Sequence, residues 1–175
     1  ADLRDRGRAL APFLEELHAQ PDQRRISGTA VFMATSTDTV PRALITNLAH
    51  NEFLHERTLF VTVAGVDVPR VPPDERVEAT DLGDGCWRIV IRTGFLDDTD
   101  VPAALARASR QGLDVDPATA SYFLGRDVIL PRSPHRIARW RQQLFAALHR
   151  NAGSSVDYFR LPPERVIEVG AQVVL

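Results

Sequence analysis

Residues 29–63 read TAVFMATSTDTVPRALITNLAHNEFLHERTLFVTV, a pattern that sets a βαβ unit at the heart of the chain. The run 29–34 is short, apolar and rich in β-branched and aromatic side chains, as suits a strand buried on both faces. A hydroxyl-rich loop, 35–40, hands over to Pro41, whose fixed φ suits a first helical turn, with Asp38 or Thr39 placed to cap the exposed N–H groups. Ala43, Leu44, Ile45, Leu48 and Ala49 give that helix an apolar side, and 58–63 returns to the sheet. Such a crossover makes the two strands parallel and the connection right-handed.

Upstream, Leu10, Phe13, Leu14 and Leu17 recur at helical spacing, which predicts a short amphipathic helix ending before Pro21. Downstream, the proline-punctuated connector 67–73 disfavours helix. It leads to a hairpin, 76–80 and 86–92, around Gly83-Asp84-Gly85. That Gly-x-Gly is no dinucleotide fingerprint, because Arg88 stands where a third glycine belongs. The loop 94–100 carries Asp97, Asp98 and Asp100; Asp100 suits an N-cap for a helix over 103–111 that stops at Gly112. Three aspartates so close could ligate a hard cation, but the EF-hand glycine and terminal glutamate are missing, and capping with solvated charge is the stronger reading. A strand over 119–130 is interrupted by Gly125. A long helix over 134–151, with Ile137, Trp140, Leu144, Phe145 and Leu148 along one side, precedes a closing strand over 165–175. The expected fold class is α/β: a single domain, a mixed β-sheet of about six strands with helices packed against it, containing a βαβ unit and a β-hairpin.

Composition narrows the function. With 175 residues, 44% hydrophobic and 25% charged, the chain has the make-up of an ordinary globular domain. No apolar run approaches the ~20 residues that span a bilayer, and the charged first residues give no secretory signal segment. One cysteine, Cys86, precludes an internal disulfide. Every basic residue is arginine. Net charge is 0 over 1–28, −6 over 29–130 and +4 over 131–175, with no dominant basic stripe, so nucleic acid is not an expected partner.

No catalytic centre, metal site or cofactor is expected. His50 and His55 lack the His-Glu-x-x-His spacing of a zinc helix. There is no Gly-x-Ser-x-Gly elbow, and without lysine no phosphate-binding Gly-x-x-x-x-Gly-Lys loop is possible. Two other sets of residues stand out. Asn47, His50, Asn51 and His55 form a candidate polar network, read foremost as satisfying the helix end and the turn into the next strand. Thr35, Ser36 and Thr37 stand where a parallel strand's carboxyl end meets a helix N-terminus, the usual place for an anionic ligand. Arg126, beside Gly125, is the arginine expected to supply charge there.

The string HNEFLHE at 50–56 and the run before it closely resemble the start of the cytosolic C-terminal domain of Kup (KUP/HAK/KT) potassium uptake transporters. The likeness continues in order through DVPRVPPDERVE, RTGFLDDTDVPAAL, SYFLGRDVILP and the last 38 residues. Phe95-Leu96-Asp97-Asp98-Thr99 departs from the more usual Phe-Met-Glu-Glu-Pro. The resemblance implies an N-terminal lead and short helix over 1–27, following a membrane part, and a cytosolic α/β domain over 28–175, expected to fold alone. It implies a regulatory or assembly domain of a proton-coupled potassium transporter, itself lacking the ion path. Its place would be the cytoplasmic face of a bacterial inner membrane, and its partner the transmembrane part of the same transporter. A homodimer is a further expectation. The alternative is a sensor domain binding a nucleotide or cyclic dinucleotide.

Overall fold

Alternation along the strands decides the layers. In the computed structural model, which describes residues 7–125 and 155–170, Val31, Met33, Leu59, Val61, Ile89 and Ile91 point to one face of the sheet. Ala30, Phe32, Phe60 and Phe123 point to the other. Each face is covered by helices, giving three layers.

The first helix, α1 (Leu10–His18), buries Leu10, Phe13, Leu14 and Leu17. It shares its side of the sheet with α2 (Arg42–Asn51), which contributes Ala43 and Leu44. On the opposite side lie α3 (Val101–Ala108) and the short α4 (Ser155–Tyr158), which bring Val101, Leu105, Val156 and Phe159 to the other core.

The strands are β1 (Arg24–Ala34), β2 (Phe53–Gly65), β3 (Val77–Gly83), β4 (Cys86–Thr93), β5 (Ser121–Gly125) and β6 (Val166–Val169). They form a six-stranded sheet in the order β3-β4-β2-β1-β5-β6. Only β3 runs antiparallel; the β1–β2, β2–β4, β1–β5 and β5–β6 pairs are all parallel. The fold class is therefore the mixed α/β sheet that the sequence predicts, with its βαβ unit and hairpin. The hairpin turn places Asp84 at φ 52° and Gly85 at φ 75°, the paired positive φ values of a tight two-residue loop.

Several boundaries differ from the sequence reading for identifiable reasons. β1 and β2 start earlier than 29 and 58, because Arg24 and Arg25 pair with Phe53 and Leu54 before the apolar run begins. The register slips between Ile26 and Thr29, where Gly28 takes φ 103°, a bulge that hides the strand's period. Neither Asp38 nor Thr39 caps α2. Its N-cap is Pro41, with no side-chain bond. The Asp38 carbonyl instead accepts from the Leu10 N–H (2.8 Å), and the Val40 N–H donates to the Arg8 carbonyl (2.8 Å), so the lead before α1 is stitched to this loop. α3 begins at Val101 rather than 103 and tightens into a 3-10 turn over Ser109–Gln111 before Gly112 at φ 95°. β5 begins at Ser121 rather than 119, and the part of the expected strand beyond Gly125 lies outside the described residues. The expected helix over 134–151 lies outside the described residues, as does the closing strand beyond Gly170.

Candidate functional site

Because β1, β2, β4 and β5 are parallel, their carboxyl ends lie together, and the loops 35–40, 66–76 and 94–100 leave from that end of the sheet. By strand order, the chain leaving β1 goes on to β2 on one side of it, and the chain leaving β5 goes on to β6 on the other side. The gap between the ends of β1 and β5 is thus the topological switch point of a doubly wound sheet. Thr35, Ser36 and Thr37 open the β1 loop at this gap. Thr35 is exposed. The Ser36 hydroxyl accepts from the Asp38 N–H at 3.2 Å, and the Thr37 hydroxyl donates to the Asp38 carboxylate at 3.3 Å. Asp38, Thr39 and Val40 stand between these hydroxyls and the first turn of α2. Arg126 lies outside the described residues; its neighbour Gly125 ends β5 and pairs with Val169.

The Asn-His cluster divides. Asn47 is buried, and its amide donates to the Phe53 carbonyl at 3.0 Å while its oxygen accepts from Asn51 at 2.9 Å. Between α2 and β2 stands Glu52 alone, at φ 56°, with its N–H on the Leu48 carbonyl. So short a link leaves carbonyls that need a donor, and Asn47 supplies it. His50 is exposed on α2 and takes no part. His55 belongs to β2, where its ring meets Phe53 and Phe123 edge-on at 5.9 and 6.2 Å. Its Nδ1 is buried with no hydrogen-bond partner among the described residues, and burial holds its pKa below the ordinary value. Cys86 is buried beneath the same end of β2, and burial pushes its thiol pKa up, against a smaller downward pull from Arg25.

Among the described residues, the most highly connected polar group is one the sequence reading leaves among solvated charges. The Asp97 side chain is 1% exposed. Its carboxylate accepts from the N–H groups of Val71 and Gly94 and from the Arg76 guanidinium, each at 2.8 Å. Burial raises the carboxyl pKa, but the two backbone N–H groups and then Arg76 outweigh it, and the net direction is downward. Arg76 also donates to the Val71 carbonyl at 2.9 Å. The knot ties the connector, the start of β3 and the loop after β4 into one unit. Its only local signal is Gly94 three residues before an aspartate. Asp100 does cap α3, accepting from the Ala103 N–H at 2.9 Å. Asp98 pairs with Arg160 at 3.1 Å.

Among the described residues, no group of three or more His, Cys, Asp or Glu is placed to hold a metal ion. A cleft of about 470 Å³ lies elsewhere, between α1 and α2, lined by Phe13, Leu17, Ile45 and Leu48 among others. No helix of the described residues is long and apolar enough to cross a membrane. Among the described residues, the buried side chains of Asn47 and Asp97 join a helix end and loops.

The family described as "K+ potassium transporter C-terminal domain" matches residues 27–175. A protein named "Probable potassium transport system protein Kup" from Pseudomonas aeruginosa (strain UCBPP-PA14) is 45% identical over 94% of this chain and 26% of its own length. The proteins of the same name from Azoarcus sp. (strain BH72) and Thiobacillus denitrificans are 47% and 46% identical, over 93% and 99% of this chain and 25% and 28% of theirs. No solved structure matches the chain. The chain thus spans about a quarter of the length of these relatives, and its ordered motifs from HNEFLHE onward fall within the matched region. On that match, which runs from the bulge of β1 to the last residue, the chain belongs to the potassium transporter C-terminal domain family.

Proposed function

We propose that the chain is a non-conducting regulatory or assembly domain of a proton-coupled potassium uptake transporter, standing at the cytoplasmic face of a bacterial inner membrane. The observation that carries this reading is the match of nearly the whole chain to about a quarter of proteins named for potassium transport. The architecture fits an accessory role: both faces of the sheet are covered by helices, and buried polar groups are spent on joining loops. The membrane-spanning remainder holds the ion path, and this domain sets how well that remainder works. The test is potassium-limited growth and rubidium uptake in a strain lacking its own uptake systems. The full transporter restores both, and removal of this domain leaves the remainder inserted but sharply slower. Unaltered uptake without the domain would contradict the reading.

A second reading is favoured by one observation, the switch point at the ends of β1 and β5. Here Thr35, Ser36 and Thr37, with Arg126, bind a nucleotide or cyclic dinucleotide that tunes transport. The hydroxyls would donate to phosphate and the guanidinium would pair with it. Calorimetry tests it: Arg126→Ala should weaken binding about tenfold or more, and no heat with any nucleotide ends this reading while leaving the first intact.

A further inference from the structure

The pairing of β1 with β2 comes in two lengths divided by a bulge. Residues 24–26 pair with 53–55, and the ladder resumes at Thr29 and Arg57. Beyond the break β1 is buried from Thr29 on and β2 from Thr58 to Thr62, whereas 24–28 and 53–57 are exposed or half-buried except at Leu54. So short and solvated a segment opens at less cost than the ladder beyond it. Gly28, at φ 103°, makes the break, and a Cβ there would approach His55 Cδ2 at 3.9 Å. The segment is held closed at three points. The Asn47 amide donates to the Phe53 carbonyl at 3.0 Å, and the Arg25 guanidinium donates to the His55 carbonyl at 3.3 Å. The third is the His55 ring, which meets Phe53 and, from β5, Phe123.

Within the segment, His55 is the side chain whose charge changes near neutral pH. Its Nδ1 is buried with no hydrogen-bond partner among the described residues. The neutral ring can leave that nitrogen as a bare lone pair, but the imidazolium carries an N–H on both nitrogens. A charged N–H would then be sealed in without an acceptor, and edge-to-face phenyl rings offer only a weak cation–π attraction in its place. The neighbouring charges are engaged elsewhere or face solvent. On β1, Arg24 is exposed and Arg25 pairs with Asp84 of the hairpin turn at 2.5 Å. On β2, Glu56 is exposed and Arg57 pairs with Asp114 at 2.8 Å. At the end of α2, His50 and Glu52 are exposed. The Cys86 thiol of β4 is kept neutral by burial. On the described β5 the titratable group is Tyr122, whose hydroxyl donates to the Pro117 carbonyl at 2.7 Å. In keeping with this, burial alone lowers the His55 pKa.

We infer that His55 is a proton-operated latch: its neutral ring holds the opening segments of β1 and β2 against β5, and its protonation releases them while the ladder beyond Gly28 stays paired. The inference rests on the transporter reading above only for the compartment whose acidity the latch senses. Because the closed form binds the proton less readily than an ordinary imidazole of pKa 6.5, opening gains nothing well above that pH and grows as pH falls through it. At pH 5.5 the gain is at most about elevenfold.

Amide hydrogen exchange of the full-length transporter in lipid nanodiscs tests this, read by mass spectrometry at pH 7.5 and 5.5 and corrected for the intrinsic chemical rate. The amides of 24–28 and 53–57 should exchange several-fold faster at pH 5.5, and those of 59–63 at an unchanged rate. His55→Phe keeps the aromatic packing without a titratable nitrogen and should abolish the difference. His50→Gln, at an exposed position of α2, should retain it. Equal acceleration in His55→Phe, none in the parent, or acceleration shared equally by 59–63 would overturn the inference. Exchange at the imidazole C2–H gives a second answer in the parent protein, without any variant. The His55 midpoint should lie below 6.5, and a midpoint at or above that value would also overturn the inference. None of these readings requires potassium uptake, so a parent protein that takes up no potassium contradicts the transporter reading alone.

Discussion

The Asp97 carboxylate takes hydrogen bonds from the loop before β3, from β3's leading arginine and from its own turn. Replacing it with Asn keeps the shape but removes the charge, and should cost roughly 2–4 kcal/mol by urea unfolding at neutral pH. Its folded pKa is depressed. The stabilisation is therefore complete above the unfolded carboxyl pKa of about 3.9 and lost as pH falls through the lower folded value. Asp97→Asn should flatten that acid limb. His55 acts in a higher window. Burial lowers its pKa from 6.5, so folding is favoured fully above that value and loses stability as pH falls through the lower folded one. His55→Phe keeps the ring between Phe53 and Phe123 and should make melting temperature less sensitive between pH 7 and 5; equal slopes for both proteins would refute the assignment. At this scale legibility follows sequence distance. The Asp100 cap and the Asn47–Asn51 contact lie within one helical turn and can be read directly. Asp97 meets partners 21 and 26 residues away, and His55 meets Phe123 from another strand; no local pattern announces either.

Among the elements, the βαβ unit is legible because its apolar period is unbroken from Ala30 to Ala34 and from Leu59 to Val61. The opening halves of β1 and β2 are not, since they are polar, half-exposed and interrupted by the bulge at Gly28. That difference matters for α1. Its four buried side chains belong to the same apolar cluster as Ala30, Phe32 and Phe60, and its lead pairs with the loop after β1 through Ala9 and Thr39. The sequence reading expects 28–175 to fold alone, whereas the packing makes α1 part of the core. A chain starting at Gly28 would expose an apolar face comparable to several large-to-small core substitutions, each costing about 2–5 kcal/mol. It should therefore lose its cooperative melt, while a chain from Gly7 keeps it.

For the whole molecule, the sheet's edges decide how copies can meet. At the outer edge of β3 the Gln111 amide donates to the Val77 carbonyl at 2.8 Å and accepts from the Ala79 N–H at 3.0 Å, standing in for a neighbouring strand. An edge occupied in this way resists pairing with another chain. A homodimer formed through β3 is thus disfavoured, and Gln111→Ala should raise the apparent mass by light scattering at high concentration; no change would mean that the rest of the edge is blocked as well. Nothing in a single sequence marks Gln111 for this work, because its partners are set by the packing of α3 on the sheet. On the proposed function, the folded domain supports transport without carrying the ion. The most direct measurement is rubidium uptake by the full transporter across a graded series, parent, His55→Phe, Asp97→Asn and Leu14→Ala, with the fraction of folded domain measured by protease resistance in the same membranes. Uptake should fall in step with the folded fraction while the membrane part remains inserted. Uptake that stays at the parent rate when the domain is largely unfolded would contradict it.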